Sequence, residues 1–269
     1  MGECSFGEVL MDFVFVGAGR LATQLACALH EKGHRISAVY SRTMESASAL
    51  SERVDALPVC DVSLLPQHAD AFIVAVKDSA LPELLPRLVT SREGECFLHT
   101  AGSIPLSVFE PLGIERYGVL YPMQTFSKER KVDFAKVPFF IEASNDATLQ
   151  QANRIACLVS THVRQLSSAQ RRQLHLAAVF ACNFTNHCYE LAARLLEAGG
   201  LPFDVMLPLI QETAEKVQTM HPHDAQTGPA VRYDEQVIEA QSQMLSSLPQ
   251  LREVYDLLSR SIHEFHQSK

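Results

Sequence analysis

The sequence predicts an α/β protein: a doubly wound parallel sheet followed by a second, all-helical C-terminal domain. Three observations lead there. Short apolar runs alternate with amphipathic stretches from residue 11 to about 167, the alternation that builds a parallel sheet with helices on both faces. From Ser168 to Lys269 no strand pattern occurs. The run Gly17-Ala18-Gly19-Arg20-Leu21-Ala22 directly follows the first apolar run and opens the first helix, the context in which a Gly-rich turn marks a dinucleotide-binding, Rossmann-type sheet.

The first strand is Phe13–Val16, rich in β-branched and aromatic residues. The helix after the glycines ends near Lys32, with Gly33 just past it, and Ile36–Tyr40 closes the βαβ unit. Gly17 allows the tight turn out of the strand. Gly19 lets the backbone approach a pyrophosphate, and Ala22 is small enough for close helix–strand packing. Arg20 and Leu21 stand with the free N–H groups of the helix N-terminus, which favour an anion. The second strand runs into Ser41-Arg42-Thr43, with no carboxylate before Glu45. An NAD site normally places Asp or Glu there for the ribose hydroxyl. Arg42 can instead pair with a 2′-phosphate while the hydroxyls of Ser41 and Thr43 donate to it, so the pattern favours NADP. Thr43 also reads as the cap of the next helix, Met44–Arg53.

Leu57–Cys60 is a short strand, and Ala71–Val76 is a continuous apolar run of the kind found at the centre of a parallel sheet. Val76 and Lys77 stand at its carboxyl edge, where such sheets hold ligands. Asp78 either approaches the cofactor or helps start the next helix, for which Ser79 is the expected cap. Cys96–Thr100 and Tyr117–Met123 follow, which brings His99 and Ser103 toward the nicotinamide end of a cofactor and Gln124 to the neighbouring edge. Val137–Ala143 and His162–Leu166 complete the strands, with Ala147–Ser160 helical between them.

The predicted organisation is an N-terminal extension (1–10), an NADP-binding domain (11–167) and a helical substrate or dimerisation domain (168–269). The short junction near Leu166–Ser168 predicts that the two domains pack around a cleft. The helices are Ser168–Ala198, stopped by Gly199-Gly200, then Phe203–Met220, Arg232–Ser246 and Pro249–His266. At 100° per residue, His175, Asn183 and Asn186 share an arc of about 80° on the first of them. Polar groups set into an apolar helix either bond another element or line a site. His175 is therefore an interdomain histidine or a catalytic one, a proton donor or carbonyl polariser, with Asn183 positioning substrate or carboxamide. Thr227-Gly228-Pro229 with Arg232 is either a capped loop or part of the substrate site, and Asp234 belongs to the first turn of the following helix. His221 and His223 have no third ligand in view, so no metal is expected.

Hydrophobic residues at 47% and charged residues at 20% describe an ordinary globular chain. A net charge of −8 argues against a nucleic-acid surface. Seven scattered cysteines without a CxxC pair read as free thiols of a reducing compartment. No apolar run reaches the length of a membrane span, and Met1–Leu10 lacks a signal-peptide pattern, so a cytoplasmic protein is expected.

GAGRLA, VYSR, HTAGS, YPMQTFSK, HLAAVFACNF and TGPAVRYD follow one another along almost the whole chain. Together they resemble a family of Rossmann-like NADP oxidoreductases with a C-terminal helical domain of uncharacterised function. That family is related in architecture to pyrroline-5-carboxylate reductases, deazaflavin-dependent NADP reductases and 6-phosphogluconate-type dehydrogenases. Its pattern has Ser at the position of Ala101, His at that of Tyr121 and Gly at that of Tyr233. The resemblance implies hydride transfer between the nicotinamide and a small carbonyl, imine or hydroxy compound, and a homodimer formed through the helical domain. The absence of a Tyr-x-x-x-Lys pattern keeps a second reading open, a non-catalytic NADP-binding sensor or scaffold.

Overall fold

A computed structural model describes residues 9–127 and 130–267; most of the predicted N-terminal extension, residues 1–8, lies outside them. Strand β1 (Asp12–Val16) is enclosed on both faces, Phe13 and Phe15 on one side and Val14 and Val16 on the other. It pairs in parallel with β2 (Arg35–Tyr40) and with β4 (Ala71–Val74), while β3 (Leu57–Val59) lies outside β2. Beyond β4 come β5 (Phe97–His99), β6 (Tyr117–Pro122), β7 (Phe139–Ala143) and β8 (Val163–Gln165), giving the eight-stranded order β3-β2-β1-β4-β5-β6-β7-β8. The connection from β3 back to β4, beside β1, is the topological switch point of a doubly wound sheet. The sheet is parallel except at one seam: β7 runs antiparallel to β6, and β8 follows β7.

Helix α1 (Arg20–Glu31) buries Ala22, Leu25, Ala26 and Leu29, the i, i+3, i+4, i+7 stripe of a helix lying on a sheet. Gly33 follows at φ 86°, a conformation that suits glycine at a helix end. Helix α2 (Met44–Val54) starts at Thr43, whose Oγ1 accepts from Ser46 N–H. Helix α4 (Asp146–Cys157) starts at Asn145, which accepts from Thr148 N–H. The predicted strand at Val137 begins instead at Phe139, since Pro138 has no N–H for the ladder and Val137 closes a turn onto Phe134. Ser79 is not a cap. Asp78–Ala80 form a 3₁₀ turn, and α3 (Leu81–Val89) begins with Pro82 in its first turn, where a missing N–H costs nothing.

The predicted long helix is not uniform. α5 (Ser168–Ala178) passes into a π-helical stretch, Val179–Phe184, before α6 (Thr185–Ala198). A π turn holds more residues than an α turn, so the 100° arithmetic that grouped His175 with Asn183 and Asn186 does not carry across it. The chain also divides within this stretch: one compact unit ends at Cys182 and the other begins at Asn183, so α5 is part of the sheet unit.

In the second unit, a 3₁₀ turn (Phe203–Met206) leads into α7 (Leu207–Thr219), and α8 (Pro222–Ala225) and α9 (Pro229–Arg232) are single turns. Tyr233, at φ 51°, ends α9 in the left-handed region. α10 (Glu235–Met244) therefore starts later than predicted, with Asp234 outside it as the cap that accepts from Val237 N–H. α11 (Pro249–Gln267) closes the chain. Among the described residues no helix is long and apolar enough to cross a membrane.

Candidate functional site

Gly17 carries the chain off β1 at φ 120°, its N–H bonded to Tyr40 O at 2.8 Å. Gly19 then precedes α1 without a side-chain cap, and the first amide to bond back into the helix is Thr23 N–H, to Gly19 O at 2.9 Å. The amides of Arg20, Leu21 and Ala22 thus stand at an uncapped N-terminus, the arrangement that receives a phosphate. A Cβ built on Gly19 meets nothing within 4 Å, so the space over this turn is open.

That space belongs to a cavity of about 700 Å³ at the switch point between β1 and β4. Gly17, Gly19 and Arg20 line it from the first turn, Ser41 and Arg42 from the end of β2, and Val76 and Lys77 from the end of β4. Seven of the predicted cofactor residues therefore share one cavity. Thr43 caps α2 and Leu21 lies in the first turn of α1; neither lines it. Sequence reasoning missed the wall supplied by α3, which adds Glu83, Leu84 and Arg87. The signal was available: α3 follows a central strand at the switch point, and Glu83 and Arg87 are four residues apart on one face. Arg20, Arg42, Lys77 and Arg87 face this cavity against the single carboxylate of Glu83, a balance that suits a polyanion.

A second group of polar side chains gathers at the carboxyl ends of β4, β5 and β6. Ser103 Oγ donates to Asp78 Oδ2, tying the loop after β5 to the loop after β4. Asp78 is thus a partner of Ser103 and not a helix cap. Next to Ser103, Gly102 lies against both Tyr121 and His175. Tyr121 Oη and His175 Nδ1 are 3.1 Å apart. His175 is held in place from below: Arg171, one turn earlier on α5 and only 1% exposed, pairs with Glu142 of β7 and donates to Ile104 O. Glu142 also accepts from Ser168 N–H at 2.8 Å and Ser168 Oγ at 2.7 Å.

His99 stays inside the core. It is fully buried, stacked on Phe109 with ring centroids 5.7 Å apart, and its Nδ1 accepts from Ala101 N–H at 3.2 Å. Burial, reinforced by Arg171 and partly offset by the backbone at Pro105, lowers its pKa to about 3. An unfolded histidine titrates near 6.5, so between these values the unfolded chain binds one more proton and folding stability rises with pH. Acidification from pH 7.5 to 5 is expected to remove about 2 kcal/mol through this group alone. Urea unfolding at the two pH values tests it. His99→Asn, which keeps an acceptor for Ala101, should shrink the difference by that amount, and an unchanged difference rejects the assignment.

The remaining predicted residues are exposed. Gln124 is exposed and accepts from its neighbour Thr125 N–H. Asn183, Thr227 and Arg232 are exposed members of the helical unit. His223 stacks on His266 at 4.3 Å, and among the described residues no group of three or more His, Cys, Asp or Glu is placed to hold a metal.

Two family models match successive parts of the chain, and the second spans the boundary between the compact units. Residues 7–122 match a Rossmann-like domain, and residues 137–262 match DUF2520, a domain of unknown function. No curated protein matches the chain. Among solved structures it is similar to a Bacteroides fragilis protein described as a candidate NADP oxidoreductase, at 54% identity and a TM-score of 0.91 over 95% of this chain and 98% of that one. It is also similar to a Thermotoga maritima protein, at 22% identity and a TM-score of 0.78 over 95% and 100%. An imine reductase from Myxococcus stipitatus in complex with NADP+ shares 17% identity and a TM-score of 0.64 over 95% and 93%. At such identities the last two likenesses show the fold alone.

Proposed function

We propose that this chain, a Rossmann-like domain continued by DUF2520 that belongs to the family of the Bacteroides fragilis protein, is an NADP(H)-dependent oxidoreductase. It passes a hydride between the nicotinamide and a small carbonyl, imine or hydroxy compound. The observation that carries this reading is the cationic cavity at the switch point, in which the end of β2 offers Ser41 and Arg42 and no carboxylate. The open space over Gly19 takes the pyrophosphate against the α1 amides, and Arg42 takes the 2′-phosphate.

The cofactor supplies the hydride; the chain supplies orientation and polar contacts. Strands β1, β4, β5 and β6 are successive neighbours, so Tyr121 and His175 stand about three strand spacings, roughly 14 Å, along the carboxyl edge from the Gly-rich turn. His175 supplies the hydrogen bond or proton to the substrate heteroatom. Gln124, at the end of β6, is assigned to a substrate contact.

Calorimetric titration with NADPH and with NADH tests the reading. NADPH is expected to bind more tightly, and Arg42→Ala to weaken it by roughly 10- to 100-fold, the loss of one charge-assisted contact. Equal affinity for both nucleotides, or an unaffected Arg42→Ala, removes the phosphate assignment. NADPH binding without turnover of any carbonyl or imine makes the protein a sensor.

The functional unit is a homodimer. α6 and α7 bury no residue within the single chain, and Leu195, Leu207, Leu209 and Val217 are exposed. A second copy covers such apolar surface. Sedimentation velocity should give twice the monomer mass, and a monomer at micromolar concentration rules the assembly out. Cys27, Cys60, Cys96, Cys182 and Cys188 are free thiols, which supports a cytoplasmic location.

A further inference from the structure

Tyr121, Gly102 and His175 come from β6, the loop after β5 and α5, and they converge on one imidazole. The hydroxyl of Tyr121 is 3.1 Å from His175 Nδ1, and the two rings meet edge-on at 71° with centroids 6.1 Å apart. Gly102 closes the third side. A Cβ at that position would lie 2.6 Å from His175 Nδ1 and 2.9 Å from Tyr121 Cζ, closer than atoms can pack, so only glycine leaves the pair intact.

Tyr121 is 8% exposed, and its hydroxyl has no other hydrogen-bond partner among the described residues. Burial raises its pKa above the ordinary phenol value; Arg171 opposes the shift and Asp78 adds to it. The phenol therefore keeps its hydrogen, and the acceptor within reach of that hydrogen is His175 Nδ1. When Nδ1 of a neutral imidazole accepts, Nε2 carries the ring proton. Nε2 of His175 makes no hydrogen bond to any described residue, and the ring is half-buried.

We infer that Tyr121 is a positioning residue that holds His175 as the Nε2–H tautomer, so that the histidine meets a substrate as a donor and selects an acceptor heteroatom, a carbonyl oxygen or an imine nitrogen. The tautomer stands on the Tyr121–His175 contact and the protonated phenol; its use in turnover rests on the oxidoreductase reading. As negative charge builds on such a heteroatom during hydride arrival, a fixed N–H already aimed at it stabilises that charge without reorganising. Neutral histidine serves as an electrophile in this way in other enzymes. Gly102 has the matching role of keeping the pair in contact.

The test is nitrogen NMR of the full-length protein labelled at histidine, at about pH 8, above the ordinary imidazole pKa. His175→Gln assigns the resonances by their disappearance. The expected native spectrum has a protonated, pyrrole-type Nε2 and an unprotonated, pyridine-type Nδ1 for His175. Tyr121→Phe, which keeps the ring and loses the hydroxyl, should show loss of the single tautomer, with both forms populated. A pyrrole-type Nδ1 in the native protein overturns the inference whatever the variants do, and so does a Tyr121→Phe spectrum identical to the native one. NADPH added to the same native sample separates the two readings: absence of nucleotide binding removes the oxidoreductase assignment and leaves the tautomer result standing.

Discussion

Gly17→Ala is expected to lower the stability of the protein by roughly 3 to 5 kcal/mol, from strain and overlap together. At φ 120° an alanine is forced into a region that L-residues avoid, and its Cβ would lie 2.3 Å from Ala75 O and 2.7 Å from Ala75 C. Both clashing atoms are backbone at the exit of β4, held by the bond from Ala75 N–H to Val16 O at 2.8 Å, so no side-chain rotation relieves them. A thermal melt should show a fall on the order of 10 °C, given about 2–4 °C per kcal/mol for a chain of this size. Gly19→Ala is the control. Its φ is −77° and its Cβ meets nothing, so the melt should stay near that of the native protein while NADPH affinity falls. If Gly17→Ala melts with the native protein, the turn is looser than described.

Glu142→Ala should be comparably damaging, costing about 3–5 kcal/mol. The carboxylate of Glu142 receives Arg171 and both donors of Ser168, and Arg171 is 1% exposed. Removing the acid leaves a buried guanidinium without a counter-ion, and Arg171 Nε already lacks a partner. Replacing both members, Glu142→Leu with Arg171→Met, removes the charge as well as its partner and should recover most of the loss. Urea unfolding of the two variants separates these terms. A single variant within about 1 kcal/mol of the native protein would show that water reaches Arg171.

Much of this arrangement is legible in the chain, because it is local. The Gly17–Ala22 turn, the apolar strands and the Ser41–Arg42 edge each need only a few consecutive residues, and Gly17, Gly19, Arg20, Ser41 and Arg42 line one cavity. What was not legible is non-local or directionless. The run VPFFIEA is an apolar strand read either way, so the reversal of β7 leaves no mark in it. Tyr121 and His175 are 54 residues apart in sequence, and Ser103 and Asp78 are 25. Arg171 sits among polar residues and reads as a solvated helix face, yet it is one of the most enclosed side chains of the protein. The π turn after Ala178 consists of ordinary helix-compatible residues, so periodicity carried straight through it. Tyr233 stands in a conformation that glycine adopts without strain, which fits the glycine that the family pattern has there.

The reversal at β7 makes α5 a measuring rod. Because β7 and β8 run against β6, the chain leaves β8 at the edge opposite the nucleotide turn and must climb back across the sheet. The rod is zeroed at Ser168, fastened to Glu142, and is read at His175, against Tyr121. Seven residues at 1.5 Å span about 10 Å. Inserting or deleting one residue between those marks would swing the imidazole by about 100° away from its tyrosine while leaving every strand in place. Length variation is therefore expected to be tolerated in the loops of this fold and excluded from this one stretch of helix.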